Sequence, residues 1–173
     1  MKALTWATVA FCLTAAGCAK EGAKPAGESA RAGTPGAGGK FTIAMIGKSS
    51  NNPVFLAART GAEQAAKDLS AKNNMQIEIA WLTPPQEDGE VQAQRIRQAV
   101  NDGASAVLIA ASDAGKVTGA INDAVDRGVP VMTFDSDAPQ SKRFAYYGVD
   151  DLKTGQMMMA ELVQQLGGKG RVA

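Results

Sequence analysis

An α/β fold built on a doubly wound parallel sheet is predicted by three observations. From Phe41 onward, short apolar runs rich in β-branched residues alternate with longer stretches whose apolar residues recur every three or four positions. The loops joining them are short. One of the runs, Ala106 to Ala110 (Ala-Val-Leu-Ile-Ala), is apolar without interruption, as a strand covered on both faces requires. Such alternation implies parallel strands, right-handed crossovers and helices on both faces of the sheet. Ligands in that architecture bind outside the carboxyl ends of the strands.

Taken in order, Phe41 to Ile46 reads as the first strand. Pro53 to Ala71 reads as a helix, with Phe55, Ala58, Ala62, Ala65 and Leu69 along one stripe. Gln76 to Leu82 is the second strand. Val91 to Asp102 is a helix with Ala93, Ile96 and Val100 on one face, stopped at Gly103. Ala106 to Ala110 is the third strand. Ala114 to Arg127 is a helix carrying Val117, Ile121 and Val125, stopped at Gly128. Val129 to Phe134 and Phe144 to Val149 are the fourth and fifth strands. Leu152 to Leu166 is a further helix ended by Gly167-Gly168, and Arg171 to Ala173 begins another strand. The unfinished last strand reads as a truncated chain. Met157-Met158-Met159, at helical spacing, reads as core packing.

The strand-end rule singles out four loops: Gly47 to Asn52, Thr83 to Gly89, Ala111 to Asp113, and Asp135 to Pro139. In the first, Asn52 suits the N-cap and Pro53 the first helical position, so Asn52 and Phe55 open a helix beside the predicted cleft. Lys48 and Ser49 precede them, and Lys48 could meet a hydroxyl or an anion, or pair with Asp135. In the last loop, Asp135 and Asp137 directly follow a buried strand. A carboxylate in a partly dry cleft can accept two hydroxyl hydrogens, each charge-assisted bond worth roughly 1.5–3 kcal/mol. Vicinal diols of sugars supply that geometry. Ser112 and Asp113 cap the third helix by position and are further candidates for the site.

Composition narrows the chemistry. There is no His, and the two Cys lie at positions 12 and 18. Serine–histidine triads, histidine zinc sites and cysteine chemistry in the globular part are therefore excluded, and neither a metal nor a cofactor is expected. A net charge of +1 gives no basic surface for nucleic acid. Gly33 to Lys40 fails as a phosphate-binding P-loop: the glycine spacing is one residue too long, Phe41 stands where Ser or Thr is needed, and a strand follows instead of preceding.

Residues 1–18 read as an export signal. Lys2 precedes the apolar run Ala3 to Ala16, which is shorter than the roughly 20 residues a membrane span needs. Ala15-Ala16-Gly17-Cys18 resembles a bacterial lipoprotein processing site, with Ala15 in place of the usual Leu and Cys18 as the residue to be lipidated. Residues 19–39, made of Ala, Gly, Pro, Lys, Glu and Ser, read as a flexible tether. The chain is thus expected outside the cytoplasm, held at a membrane of the cell envelope.

The stretches FTIAMIGKSSNNPVFLAARTGAEQAAKDL, QAVNDGASAVLIAASDA, GVPVMTFDSDAP and YYGVDDLKTGQMMMAELV together resemble the type I periplasmic binding proteins of the ribose/galactose group, over Phe41 to Ala173. The resemblance implies two α/β lobes joined by hinge strands, a ligand trapped between them, and delivery by a monomer to the permease of an ABC importer. It places a nearly complete first lobe at 40–147, and the hinge with a truncated second lobe at 148–173. Within the resemblance, Asn52 and Phe55 match an asparagine and a stacking aromatic, and Asp135 matches the strand-end aspartate. Val54 stands where the family has a first aromatic, and Ser136 where ribose binders have Arg. Lys48 and the Asp-Ser-Asp run are more similar to members that bind rhamnose or autoinducer-2. The implied ligand is sugar-like and polyhydroxylated. An extracytoplasmic sensor feeding a chemoreceptor or kinase is the alternative. A LacI-type repressor shares the fold but starts with a helix-turn-helix, where this chain has a signal and a tether.

Overall fold

A computed structural model describes residues 39–171. The export signal, Cys18, all but the last residue of the tether, and the final two residues of the strand expected at 171–173 lie outside the described residues. The element order is β1 (Lys40–Ile46), α1 (Pro53–Asn73), β2 (Gln76–Trp81), α2 (Gly89–Asn101), β3 (Ala106–Ile109), α3 (Ala114–Asp126), β4 (Val131–Phe134), β5 (Ala145–Tyr147) and α4 (Asp151–Gln165). All five strands are parallel, in the order β2-β1-β3-β4-β5.

This order decides where the helices go. The step from β1 to β2 runs toward one edge, and the steps from β2 onward run toward the other. Right-handed crossovers therefore send α1 to one face and α2 and α3 to the opposite one. Alternate side chains agree. Ala44, Ile46, Val107, Ile109 and Val131 point into a core with Ala93, Ile96, Val117 and Ile121 of α2 and α3. Their neighbours along the strands point the other way: Trp81 lies 5.4 Å beneath the Arg59 guanidinium of α1, and Phe134 meets Phe55 of α1 edge-on. Fully burying one of these isoleucines contributes about 1.5–3 kcal/mol. The α2/α3 side is the drier of the two, since only Phe55 and Ala66 of α1 are buried.

The observed boundaries differ from the predicted ones for local reasons. Helix α2 begins two residues early because the Asp88 carboxylate accepts the amide hydrogens of Glu90 and Val91 at 2.8 and 3.1 Å. Strand β4 starts at Val131, not Val129, because the Val129 N–H closes the end of α3 on the Ala124 carbonyl. Strand β5 is shorter than the apolar run that contains it, and Phe144 and Val149 are exposed. The expectation of core packing for Met157, Met158 and Met159 is corrected: α4 is capped by Asp150 but buries none of its residues, and all three methionines are exposed.

Candidate functional site

The order in which the chain lays down its strands reverses between β1 and β3, so the loops after those strands diverge and leave a crevice. One side chain ties them together beneath it. Gln92, on α2, is fully buried. Its amide nitrogen donates to the carbonyls of Gly47 (2.9 Å) and Ala110 (2.8 Å), and its amide oxygen accepts from the Ser112 N–H (2.8 Å). The same edge continues in both directions. Gly47 N–H donates to Thr83 Oγ1 and Ser50 N–H to the Pro84 carbonyl, joining the β1 and β2 loops. Ala111 N–H donates to the Ser136 carbonyl and Asp135 N–H to that of Tyr147, joining β3 to β4 and β4 to β5. The carboxyl edge of all five strands is thereby one hydrogen-bonded line. Gln92 was missed by the sequence reading. The signal available was its spacing, four and seven residues before Ile96 and Ala99, which puts it on the buried stripe of α2.

On this edge Lys48 Nζ lies 3.2 Å from Asp135 Oδ2, with the two side chains 22% and 41% exposed. Such a half-wet pair contributes at most about 1 kcal/mol, so it is cheap to rearrange. Asp135 sits in a tight three-residue turn: its φ is +59°, and the Ser136 N–H reaches back to the Phe134 carbonyl at 2.6 Å. A non-glycine residue in this region is uncommon and costs about 1–3 kcal/mol. The Ser136 hydroxyl also donates to Asp135 Oδ2. Phe134, Tyr147, Gly148 and Val149 line a cavity of about 280 Å³ beside Asp135.

The other predicted residues divide. Asn52 caps α1, its Oδ1 accepting the Val54 N–H at 2.9 Å. Phe55, expected as a stacking ring, is only 3% exposed. It packs edge-on against Phe134 at 6.3 Å and lies so close under Gly47 that a Cβ there would come within 2.9 Å of the ring. It is a prop for the first loop, not an open platform, while Val54 is exposed. Ser49 is buried. Asp113 caps α3 by accepting the Lys116 N–H, and the buried Ser112 hydroxyl has no hydrogen-bond partner among the described residues.

Asp137 was expected beside Asp135 at the ligand, and the structure engages it elsewhere. Its carboxylate forms a two-pronged pair with Arg143 (2.5 and 2.6 Å) and accepts from the Thr133 hydroxyl and the Ala138 N–H. The Arg143 hydrogen bonds hold its carboxyl below the usual range, against the opposing effect of burial. The reciprocal bond raises Arg143. With those acceptor sites spent, Asp137 fixes the 135–143 loop. The lobe thus offers polar side chains with spare hydrogen-bonding capacity (Lys48, Asp135) on a hydrogen-bonded main-chain edge. That equipment can bind a hydroxyl-rich molecule. Among the described residues no cluster of three or more His, Cys, Asp or Glu forms a metal site.

The family model described as "Periplasmic binding protein domain" matches residues 43–173. The ribose import binding protein RbsB of Bacillus subtilis (strain 168) is 31% identical over 134 residues, which is 78% of this chain and 42% of that protein. The XylFII–LytSN complex contains a chain 31% identical, with a TM-score of 0.65, covering 73% of this chain and 44% of that one. An ABC transporter solute-binding protein from Burkholderia graminis C4D1M, solved with D-arabinose, is 26% identical, with a TM-score of 0.64, covering 75% and 43%. The chain therefore spans less than half the length of these proteins.

Proposed function

Because the chain belongs to the periplasmic binding protein domain family, a family of binding proteins and not of enzymes, we propose that it supplies the first lobe of a binder that captures a sugar or sugar-like molecule for an ABC importer. The observation that carries this reading is the Lys48–Asp135 pair on the braced carboxyl edge of the sheet. Each partner keeps hydrogen-bonding capacity that a diol can use, and the main chain around them is already ordered, so less entropy is lost on binding. The names of the relatives support the ligand class: one is a ribose import binding protein and another was solved with D-arabinose. The binding set in this lobe is Lys48, Asn52 and Asp135. A second lobe begins near Gly148 and supplies the opposite jaw, and ligand contacts to both lobes favour closure. Cys18 carries a lipid that holds the protein at the membrane, and the permease subunits receive the closed form.

Calorimetry on the full-length protein with pentoses, hexoses and deoxysugars tests this. Asp135→Ala is expected to weaken binding at least about tenfold, equivalent to about 1.4 kcal/mol. Unchanged affinity removes Asp135 from the site, and failure of every sugar to bind wild type overturns the sugar reading. A sensor that passes occupancy to another protein is the second reading. It is favoured by the similar XylFII chain having been solved in complex with LytSN.

A further inference from the structure

Tyr146, in the middle of β5, places its hydroxyl between two main-chain carbonyls: that of Asp135, at 2.9 Å, and that of Val149, at 3.0 Å. The first belongs to the strained turn that presents the Asp135 carboxylate to Lys48. The second belongs to the segment leaving the sheet toward α4. A phenol has a single hydrogen, so it can donate to only one of the two at a time. The ring has room only because residue 148 is glycine: a Cβ there would come within 2.1 Å of the hydroxyl oxygen and 2.3 Å of the ring carbon bearing it. Any side chain at 148 would therefore push the phenol out. The Asp135 N–H is bound to the carbonyl of the next β5 residue, Tyr147. The Asp135 turn is thus held at its amide and at its carbonyl by the strand from which the exit segment departs.

We propose that Tyr146 is a positioning residue that couples the placement of the Asp135 carboxylate to the movement of the Gly148–Asp150 segment, its one hydrogen passing between the Asp135 and Val149 carbonyls. The proposal rests on the sugar-binding reading above, because the coupling matters only if residues 148–150 lead to a second jaw. Burial, followed by the negative charges of Asp151, Asp137, Asp135 and Asp150, raises the pKa of the phenol, so it stays a donor at neutral pH.

The test uses the full-length protein, with D-ribose, D-arabinose, D-galactose and L-rhamnose as probes in calorimetry. Tyr146→Phe keeps the ring and removes the hydroxyl. It is expected to weaken binding of any probe that wild type holds by about fivefold or more, and to cause no further loss in an Asp135→Ala background. Gly148→Ala, which displaces the phenol without removing it, is expected to weaken binding likewise. A purely structural role would give the same loss in both backgrounds, and that result, or wild-type affinity in Tyr146→Phe, overturns the proposal. If no probe binds wild type, the sugar reading falls by itself. The carboxyl carbon resonance of Asp135 in the unliganded proteins then decides: a shift in Tyr146→Phe supports the coupling, and an unmoved resonance overturns it.

Discussion

Residues 40–147 and residues 148–171 obey the same local rules with opposite results. Both carry capped helices with apolar residues at helical spacing. Helices α2 and α3 bury theirs against the sheet and each other, down to complete exclusion of Ile96, Val117 and Ile121. Helix α4, also capped by an aspartate, buries nothing and exposes Leu152, three methionines, Leu162 and Val163. Capping and periodicity specify a helix. They do not supply the surface it rests on, and most helical stability in a folded protein comes from that surface.

Substitutions graded across the two regions break or sharpen this contrast. The largest effect is expected in the core of the lobe: Ile96→Ala should cost about 3–4 kcal/mol, read as a lowered urea midpoint, because the closely packed α2/α3 layer cannot collapse into the void. Next is Gln92→Leu. It leaves two carbonyls and one amide without their partner, at about 1 kcal/mol each and so roughly 3 kcal/mol in all, and it should raise amide exchange at Ser112. Asp137→Asn should cost about 1–2 kcal/mol at neutral pH. Because the folded carboxyl lies below its ordinary value of 3.8, the advantage of wild type is full above that pH and fades as acid protonates Asp137, so the two melting curves converge in strong acid. Smallest is Met158→Gln on α4, within about 0.5 kcal/mol for this chain of 173 residues. A loss of several kcal/mol there would show that α4 is covered after all and would erase the contrast.

The strands and helices could be read from the residues because their periodicity is local, and the misplaced ends trace to single caps such as Asp88 and Val129. The pairing of Lys48 with Asp135 was readable, because the chain order brings both to one edge. It was not readable where a distant or oppositely oriented partner decides. Phe55 looked available until Phe134 and Gly47 enclosed it, and Asp137 looked free for a ligand until Arg143 claimed its carboxylate. Gln92 went unnoticed because a single polar side chain announces nothing about the three main-chain groups it will meet.

The seam of hydrogen bonds that runs from Thr83 to Tyr147 limits how this edge can be altered. No loop along it can be lengthened or re-angled without disturbing its neighbours. Exchanging an outward side chain at a position such as 48 or 135 therefore leaves the backbone in place, where changing a loop's length does not.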